Sequence, residues 1–498
     1  MQSRLVCQSS AQVEADLLVI PITRAAFDAR AQGALAGISA TLDFDIFEEA
    51  ASERFEGKKG QSFLLRGLKN LGTRRVLLLG AGDVAQLQAG NLRQVGVTAA
   101  KRARTLRALS VAIALPVILP EGLDDQRIAG QLLEGFCHGA YAFDRYVSAR
   151  EDRFEGSQHL IIVAPEGAAL NDDALTRSRV LADAICMARN LVNEPPAAMT
   201  PNELALRAEA IATTRGLEHH ILGPTALEEG QFNLLLAVGR GSDNSPRMIH
   251  LIYRPEGEVK RRIAFVGKGV TFDTGGYSLK LNMANMHSDM AGGAAVLGAA
   301  DAIGALKPAG LEIHFIVPAA ENCINGAAIK VQDIVRGYGK KTVEILNTDA
   351  EGRLILADAL AYAQEQDVDT IIDLATLTGA SVVALGDYTA ALFSSSESLA
   401  SSLLSSARAS GEDLWRMPLT ERLDKQLDSP VADMKNLGKR EGGAISAALF
   451  LRRWVNIDDW AHLDIAGPAF MSTDDEYYGQ GATGYGVATL VDYACRLA

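Results

Sequence analysis

Two β-like runs, each followed by a cluster of charged residues, constrain this chain more than any other feature. The first, Ile263-Ala264-Phe265-Val266, breaks at Gly267-Lys268-Gly269 and then presents Asp273, the pair Gly275-Gly276, Lys280 and Asp289. A short apolar run of this kind reads as a buried strand, and open α/β sheets keep their ligand sites at the carboxyl ends of such strands. The second run, Thr342-Val343-Glu344-Ile345-Leu346, leads into Asn347 to Leu354, NTDAEGRL, with Asp349, Glu351 and Arg353 at alternate positions before a helix-like segment. Two strand ends thus offer four carboxylates.

If Asp273, Asp289, Asp349 and Glu351 converge, their charges repel and raise one another's pKa values. Two divalent cations cancel that charge, and oxygen ligands suit Mg, Mn or Zn. Metals about 3.5–4 Å apart are the usual device for activating water against a carbonyl or phosphoryl group. Hydrolysis is the reaction class this chemistry points to.

The stretches GKGVTFDTGGYSLK, SDMAGGAA and above all NTDAEGRL resemble the leucyl aminopeptidases, a family of cytosolic dinuclear metallopeptidases. The resemblance runs from about Arg189 to the C-terminus, including Asp373 to Ala380 and Ala461 to Gly467, and is looser in the amino-terminal third. It implies that Asp273 and Glu351 bridge two metal ions, Mn or Zn, that Asp349 completes one and that Lys268 and Asp289 complete the other. It further implies Lys280 as the electrophile facing the substrate carbonyl, and Arg353 as the holder of a bicarbonate that serves as general base. Met286 falls on a position resembling one that lines the family's side-chain pocket, and Thr376, Gly379 and Ala466 are expected to line it with Met286. The implied activity is release of leucine and similar residues from peptides with a free N-terminus, by a homohexamer.

Plainer readings stand beside these. Asp289, just before a helix expected from Met290, fits an N-cap. Chemistry alone favours Lys268 as a charged ammonium balancing the acids, because a lysine ligates only as the neutral amine; the resemblance reverses that preference. Lys280 and Arg353 can be salt-bridged, and Arg353 cannot ligate, since a guanidinium has no free lone pair. The segment Leu281 to Ser288 is shorter than in most family members, which leaves pocket depth and the preferred first residue open.

At 498 residues, with 48% apolar and 22% charged residues, the chain has ample core for two or three domains. The net charge of -13 argues against a nucleic-acid surface, which needs clustered Lys and Arg. Residues 1–7 hold no signal-peptide core, and the apolar run Leu109 to Leu119 is too short to span a bilayer and broken by Pro116. Five widely spaced cysteines form neither a disulfide framework nor a CxxC site. A cytoplasmic protein without membrane partners is expected.

Both parts of the chain alternate strands and helices. Strands are expected at Asp16–Ile22, Arg75–Leu79, Ser110–Ala114 and Leu160–Ala164, with helices at Asn91–Leu106 and Asp125–Tyr141. The charged stretch Ala149–Gln158 is turn-like, but the boundary is placed near Asn171, followed by a connecting helix at Ala174–Leu191. The expected organisation is a smaller N-terminal α/β domain, 1–170, of oligomer or accessory role, and a larger catalytic α/β domain, 171–498. The second domain should have a mixed sheet flanked by helices. Its strands are expected at Asn233–Val238, Met248–Tyr253, Arg262–Val266, Leu311–Val317, Thr342–Leu346, Thr370–Leu374 and His462–Ile465. Its helices are expected at Leu204–Thr214, Met290–Ala305, Leu354–Gln364, Leu399–Ser410 and Ala444–Val455.

Gly80-Ala81-Gly82-Asp83-Val84-Ala85 mimics a dinucleotide fingerprint, but its helix starts too late, so a tight turn is favoured. Neither a Gly-x-Ser-x-Gly elbow nor an HExxH pair occurs. His287 reads as a loop or pocket residue, His462 as a hydrogen-bonded sheet residue and Cys323 as core. Two other classes remain: a dinuclear hydrolase of another amide, and a binding or assembly protein that keeps the fold without the activity. The intact charged positions speak against the second.

Overall fold

The computed structural model describes residues 1–69, 71–87, 89–116, 124–148, 154–168 and 170–498. Positions 149–153 of the charged turn-like stretch, and 117–119 of the apolar run after Leu109, lie outside the described residues. The chain divides into two compact units, Met1–Asp183 and Ala184–Ala498.

In the first unit, six strands form a sheet in the order Gln2–Cys7, His159–Ala164, Ser110–Ala114, Leu17–Thr23, Arg75–Gly82, Ser62–Arg66. All pairs are parallel except the last. Strand periodicity sends successive side chains to opposite faces. Leu17, Val19, Leu77 and Leu79 accordingly join one core, under the helices Ala89–Thr105 and Asp125–Ala140. Leu18, Ile20, Val76 and Leu78 join the other. The flanking strands Gln2–Cys7 and Ser62–Arg66 were not among those expected, since neither carries a long apolar run. Gly80 and Gly82 belong to the strand itself rather than to a turn, and the helix begins only at Ala89. A Cβ at Gly80 would lie 1.9 Å from the Lys58 carbonyl oxygen, so close packing accounts for that glycine.

The second unit is built on a nine-stranded mixed sheet. Its order is Asp413–Arg416, Thr389–Ser394, Trp460–Asp464, Thr370–Ala375, Arg261–Gly267, Leu311–Asn322, Arg247–Tyr253, Glu218–Leu222. The ninth strand, Gly269–Asp273, continues the Arg261–Gly267 direction and pairs with the far end of Leu311–Asn322. Trp460–Asp464, Thr370–Ala375, Arg261–Gly267 and Leu311–Asn322 run parallel, so their carboxyl ends share one edge. Ile263 to Val266 are fully buried, as a parallel strand covered on both faces must be.

The helix Ala291–Leu306 is apolar apart from Asp301, which pairs with Arg215, and almost wholly buried, the pattern of a core helix. Together with the preceding turn it is long and apolar enough to cross a membrane, yet 83% of its most apolar window is buried within the protein. The helices Pro201–Arg215, Glu351–Gln364, Glu397–Ser410 and Gly443–Arg452 lie close to their expected places.

In this second unit two expectations about strands fail. Asn233–Gly239 is a helix, not a strand, and its first-turn amides of Leu234 and Leu235 donate to the buried Asp358 carboxylate at 2.9 and 3.0 Å. Leucine and alanine in NLLLAVG favour a helix once such a partner satisfies its open end. Thr342–Glu344 is a short strand outside the main sheet, pairing instead with Ile334–Arg336 and Met434–Lys435. The two charged stretches therefore do not leave adjacent strands of one sheet.

Candidate metal centre and active site

The site forms where the Arg261–Gly267 strand ends. Gly267 and Gly269 flank Lys268 because the backbone is squeezed there: a Cβ at Gly267 would sit 2.5 Å from the Gly292 carbonyl oxygen. Main-chain bonds from Lys268 N to Leu374 O (3.0 Å) and from Gly293 N to Lys268 O (2.8 Å) fix the strand against its neighbours. The second stretch enters as the first turn of Glu351–Gln364, with Glu351, Gly352 and Arg353 all buried. Gly352 is indispensable space, since a Cβ there would lie 2.5 Å from Lys268 Cε.

The side chains meet as two linked ion-pair clusters. Lys268 Nζ lies 2.7 Å from Asp289 Oδ1, 2.8 Å from Glu351 Oε1 and 3.0 Å from the Thr376 carbonyl oxygen. Lys280 Nζ lies 2.7 Å from Asp273 Oδ2 and 2.5 Å from Asp349 Oδ1. Asp273, Asp289 and Glu351 each present a carboxylate oxygen within 4.8 Å of the others, all three buried. Asp349 stands outside that trio and joins it through Lys280.

Asp289 does not cap the following helix: its carboxylate accepts from Lys268 and from Thr376 Oγ1 (2.7 Å), and the N-cap is Met290 without a side-chain bond. Asp289 Oδ2 and Glu351 Oε2 are buried with no hydrogen-bond partner. Unpaired buried carboxylate oxygens carry a large desolvation penalty, and a hard divalent ion is the ligand that removes it. The donor set thus fits a metal centre.

Burial raises the carboxyl pKa of Asp289 well above the usual range; Lys268 opposes the shift and Glu351 and Asp273 add to it. Asp273 and Asp349 are raised as well, again chiefly by burial. Burial disfavours the Lys268 charge, but Asp289, Glu351 and Asp273 more than offset it, so its pKa lies above the ordinary lysine value. The protein's own charges hold Lys268 as an ammonium, and ligation through Nζ requires cations to replace that field.

Burial pushes Arg353 down to about 10 despite the nearby Glu351 and Asp464. Its Nη1 donates to the Asn436 carbonyl oxygen at 2.8 Å, while its Nε is buried and unpaired. Among the described residues no carboxylate lies within ion-pairing distance of Arg353, so the expected alternative of a salt bridge is not realised there. For Lys280 it is.

Of the pocket positions, Thr376 touches the centre directly through Asp289. Gly379 is exposed and Ala466 half-buried, and their loops are joined by Asp464, which accepts from Thr378 Oγ1 (2.6 Å), Leu377 N and Ala466 N. Met286 is half-buried in the turn Met286–Met290 that carries Asp289. His287 packs edge-on against Phe470 at 5.3 Å. His462 is buried, its Nδ1 2.5 Å from Asp373 Oδ1. Burial lifts the Cys323 thiol to about 11, which suits no nucleophile.

Sequence reasoning passed over Gly352, Asn322, Thr348 and Asn436. Asn322 Nδ2 donates to Asp273 Oδ1 at 2.7 Å, and Asn436 Nδ2 donates to Asn347 O at 2.7 Å. Asn322 and Asn436 are uncharged and lie far from the motif, while Thr348 and Gly352 lie within it but carry no charge, so none of the four signals its role in a single sequence.

A two-unit α/β chain that gathers three buried carboxylates and two lysines beside the ends of its parallel strands has the donor set of the metal-dependent hydrolases. Comparison with known proteins narrows the class. Residues 186–491 match the model of the cytosol aminopeptidase family, catalytic domain, and residues 23–150 match the same family's N-terminal domain. A probable cytosol aminopeptidase from Synechococcus sp. (strain CC9902) is 44% identical over 450 residues, 90% of each chain. One from Thermosynechococcus vestitus is 43% identical over 458 residues, 91% of each.

Among solved structures, a mutant form of tomato leucine aminopeptidase superposes with a TM-score of 0.90 at 36% identity, covering 100% of this chain and 96% of its own. The bottromycin maturation enzyme BotP in complex with Mn gives 0.85 at 33% identity, covering 97% and 99%. The chain belongs to the cytosol aminopeptidase family, and it is a metal-dependent aminopeptidase.

Proposed function

We propose that this chain releases leucine and similar residues from the free N-terminus of peptides, using two divalent ions held by Lys268, Asp273, Asp289, Asp349 and Glu351. The observation that carries the reading is the buried trio Asp273, Asp289 and Glu351, whose oxygens lie within 4.8 Å of one another and include two without partners. Bound there, two such ions supply polarisation of the scissile carbonyl and activation of water. Mn is the favoured metal, supported by the Mn complex of BotP, with Zn next.

The protein's own residues do the rest. An acid-lined site accepts a free α-amine, which confines cleavage to the first peptide bond. Lys280, with 21% of its side chain exposed against 3% for Lys268, is the lysine a substrate can reach, placed to stabilise the oxyanion that develops on the carbonyl oxygen. Arg353, with an unpaired Nε and a planar fork, suits a bicarbonate that takes the proton from water and passes it to the leaving amine. Thr376, Gly379, Ala466 and Met286 line the pocket for the first side chain.

The N-terminal domain, 1–170, serves assembly and the remainder, 171–498, catalysis; the assembly is a homohexamer, a proposal that rests on the family resemblance. A cytoplasmic setting is supported by the relatives named cytosol aminopeptidases. Hydrolysis of leucyl-anilide with and without added Mn, by wild type and by folded Glu351→Ala, tests the core of the reading. Mn-dependent turnover lost in the variant is expected; full turnover in Glu351→Ala would refute it.

A further inference from the structure

The two charged stretches are joined by side chains that carry no charge. Asn322 ends the strand Leu311–Asn322 and is 1% exposed. Its Nδ2 donates to Asp273 Oδ1 at 2.7 Å and to the Thr348 carbonyl oxygen at 3.0 Å. Its own carbonyl oxygen accepts from Thr274 N (2.9 Å) and Thr274 Oγ1 (2.8 Å). Thr348, also 1% exposed, returns the bond from the other side. Its Oγ1 donates to Gly275 O at 2.7 Å and accepts from Ser278 N at 2.7 Å, while its N donates to Ser278 Oγ at 3.1 Å.

Two consequences follow for the acids. Asp273 Oδ1 is occupied by Asn322 Nδ2 and by Gly275 N (2.8 Å), so only Oδ2 is left to face the site. Asp349 is the residue after Thr348, and its Oδ1 meets the same ammonium, Lys280 Nζ, as Asp273 Oδ2. The spacing of these two acids is therefore set by Asn322 and Thr348 through bonds that involve neither a metal nor a substrate.

We infer that Asn322 and Thr348 are positioning residues, a neutral clamp that holds the two ligand-bearing stretches at metal-binding distance against the mutual repulsion of their carboxylates. The inference rests on the metal-centre reading above and adds a role for residues outside the ligand set. Partners that orient metal ligands through hydrogen bonds typically contribute about 10–100-fold in metal affinity. Buried hydrogen-bond networks of this kind fix one arrangement of the groups they join.

The test uses the full-length protein, stripped of metal, with Mn itself as the probe. Mn is titrated by calorimetry and by electron paramagnetic resonance into wild type, Thr348→Val, Thr348→Ser and Asn322→Leu, with thermal melting of each metal-free protein and kcat at saturating Mn. Thr348→Val keeps the shape but loses the hydroxyl; Thr348→Ser keeps the hydroxyl. The expected result is Mn affinity weakened about 10–100-fold in Thr348→Val and Asn322→Leu, and restored in Thr348→Ser. Wild-type Mn affinity and kcat in Thr348→Val, whatever its melting temperature, would overturn the inference by reducing the clamp to a fold staple. Should Asn322→Leu not fold, Thr348→Val decides. Should neither fold, the clamp serves the fold rather than the site and the inference is wrong. Wild type that binds no Mn would instead defeat the metal-centre reading beneath it.

Discussion

Replacing Gly352 by alanine is the sharpest probe of how Lys268 is held. The added methyl carbon would sit 2.5 Å from Lys268 Cε, 2.7 Å from Nζ and 2.8 Å from Cδ. Carbon atoms in ordinary contact stand about 3.5–4.0 Å apart, so the lysine stem must shift by roughly 1 Å. It has little freedom to do so, being 3% exposed and bound through Nζ to Asp289, Glu351 and Thr376 O.

Overpacking of this kind costs about 1–3 kcal/mol, and alanine's better helix propensity returns up to about 1 kcal/mol of that. A misplacement of about 1 Å at the chemistry lowers turnover on the order of a hundredfold. Gly352→Ala should therefore melt only slightly below wild type yet lose about two orders of magnitude in kcat/KM on leucyl-anilide with Mn. Gly257→Ala, where an added Cβ meets nothing within 4 Å, is the control. Wild-type kcat/KM in Gly352→Ala, with an unchanged melting curve, would refute the account of Lys268 as a tightly held part of the centre.

Three further outcomes are expected. Lys280→Met, which keeps length but removes the charge, should lower kcat by about a hundredfold or more with a smaller change in KM, as loss of an oxyanion donor does; a KM effect alone would reassign it to substrate binding. Arg353→Lys retains a cation without the planar fork, so any stimulation of initial rates by added bicarbonate should disappear, and persistence of that stimulation would place the anion elsewhere. Burial lifts Asp358 to about 7 despite backbone N–H bonds from Leu235, Tyr338 and Leu234. Because the folded value exceeds the unfolded one of about 3.9, the native state binds the extra proton, and stability falls as pH rises between about 4 and 7. Asp358→Asn should flatten the melting temperature over that range relative to wild type; an equal slope in both would mean Asp358 stays ionised.

Much of the architecture was legible because burial leaves a strong pattern. Ile263 to Val266 is an apolar run bounded by polar breaks, Thr370 to Leu374 is rich in β-formers around a single acid, and each is a central strand. The run at 233–238 was misread because a short apolar segment has no telling period, and what decides its form is Asp358, more than a hundred residues away. Thr342–Glu344 was placed in the wrong sheet for a related reason: its parallel partner, Met434–Lys435, is too short to announce itself. Within the site the charged residues were readable, since acids clustered after apolar runs need an explanation. The glycine and the two amides that make room for and orient them were not, because their meaning lies only in what they touch.

Lys268 and Lys280 thread two positive charges among the four acids, each ammonium shared by a pair of carboxylates. The repulsion among these acids is thus offset from within the polypeptide, so that loss of either ammonium would set a pair of acids against each other.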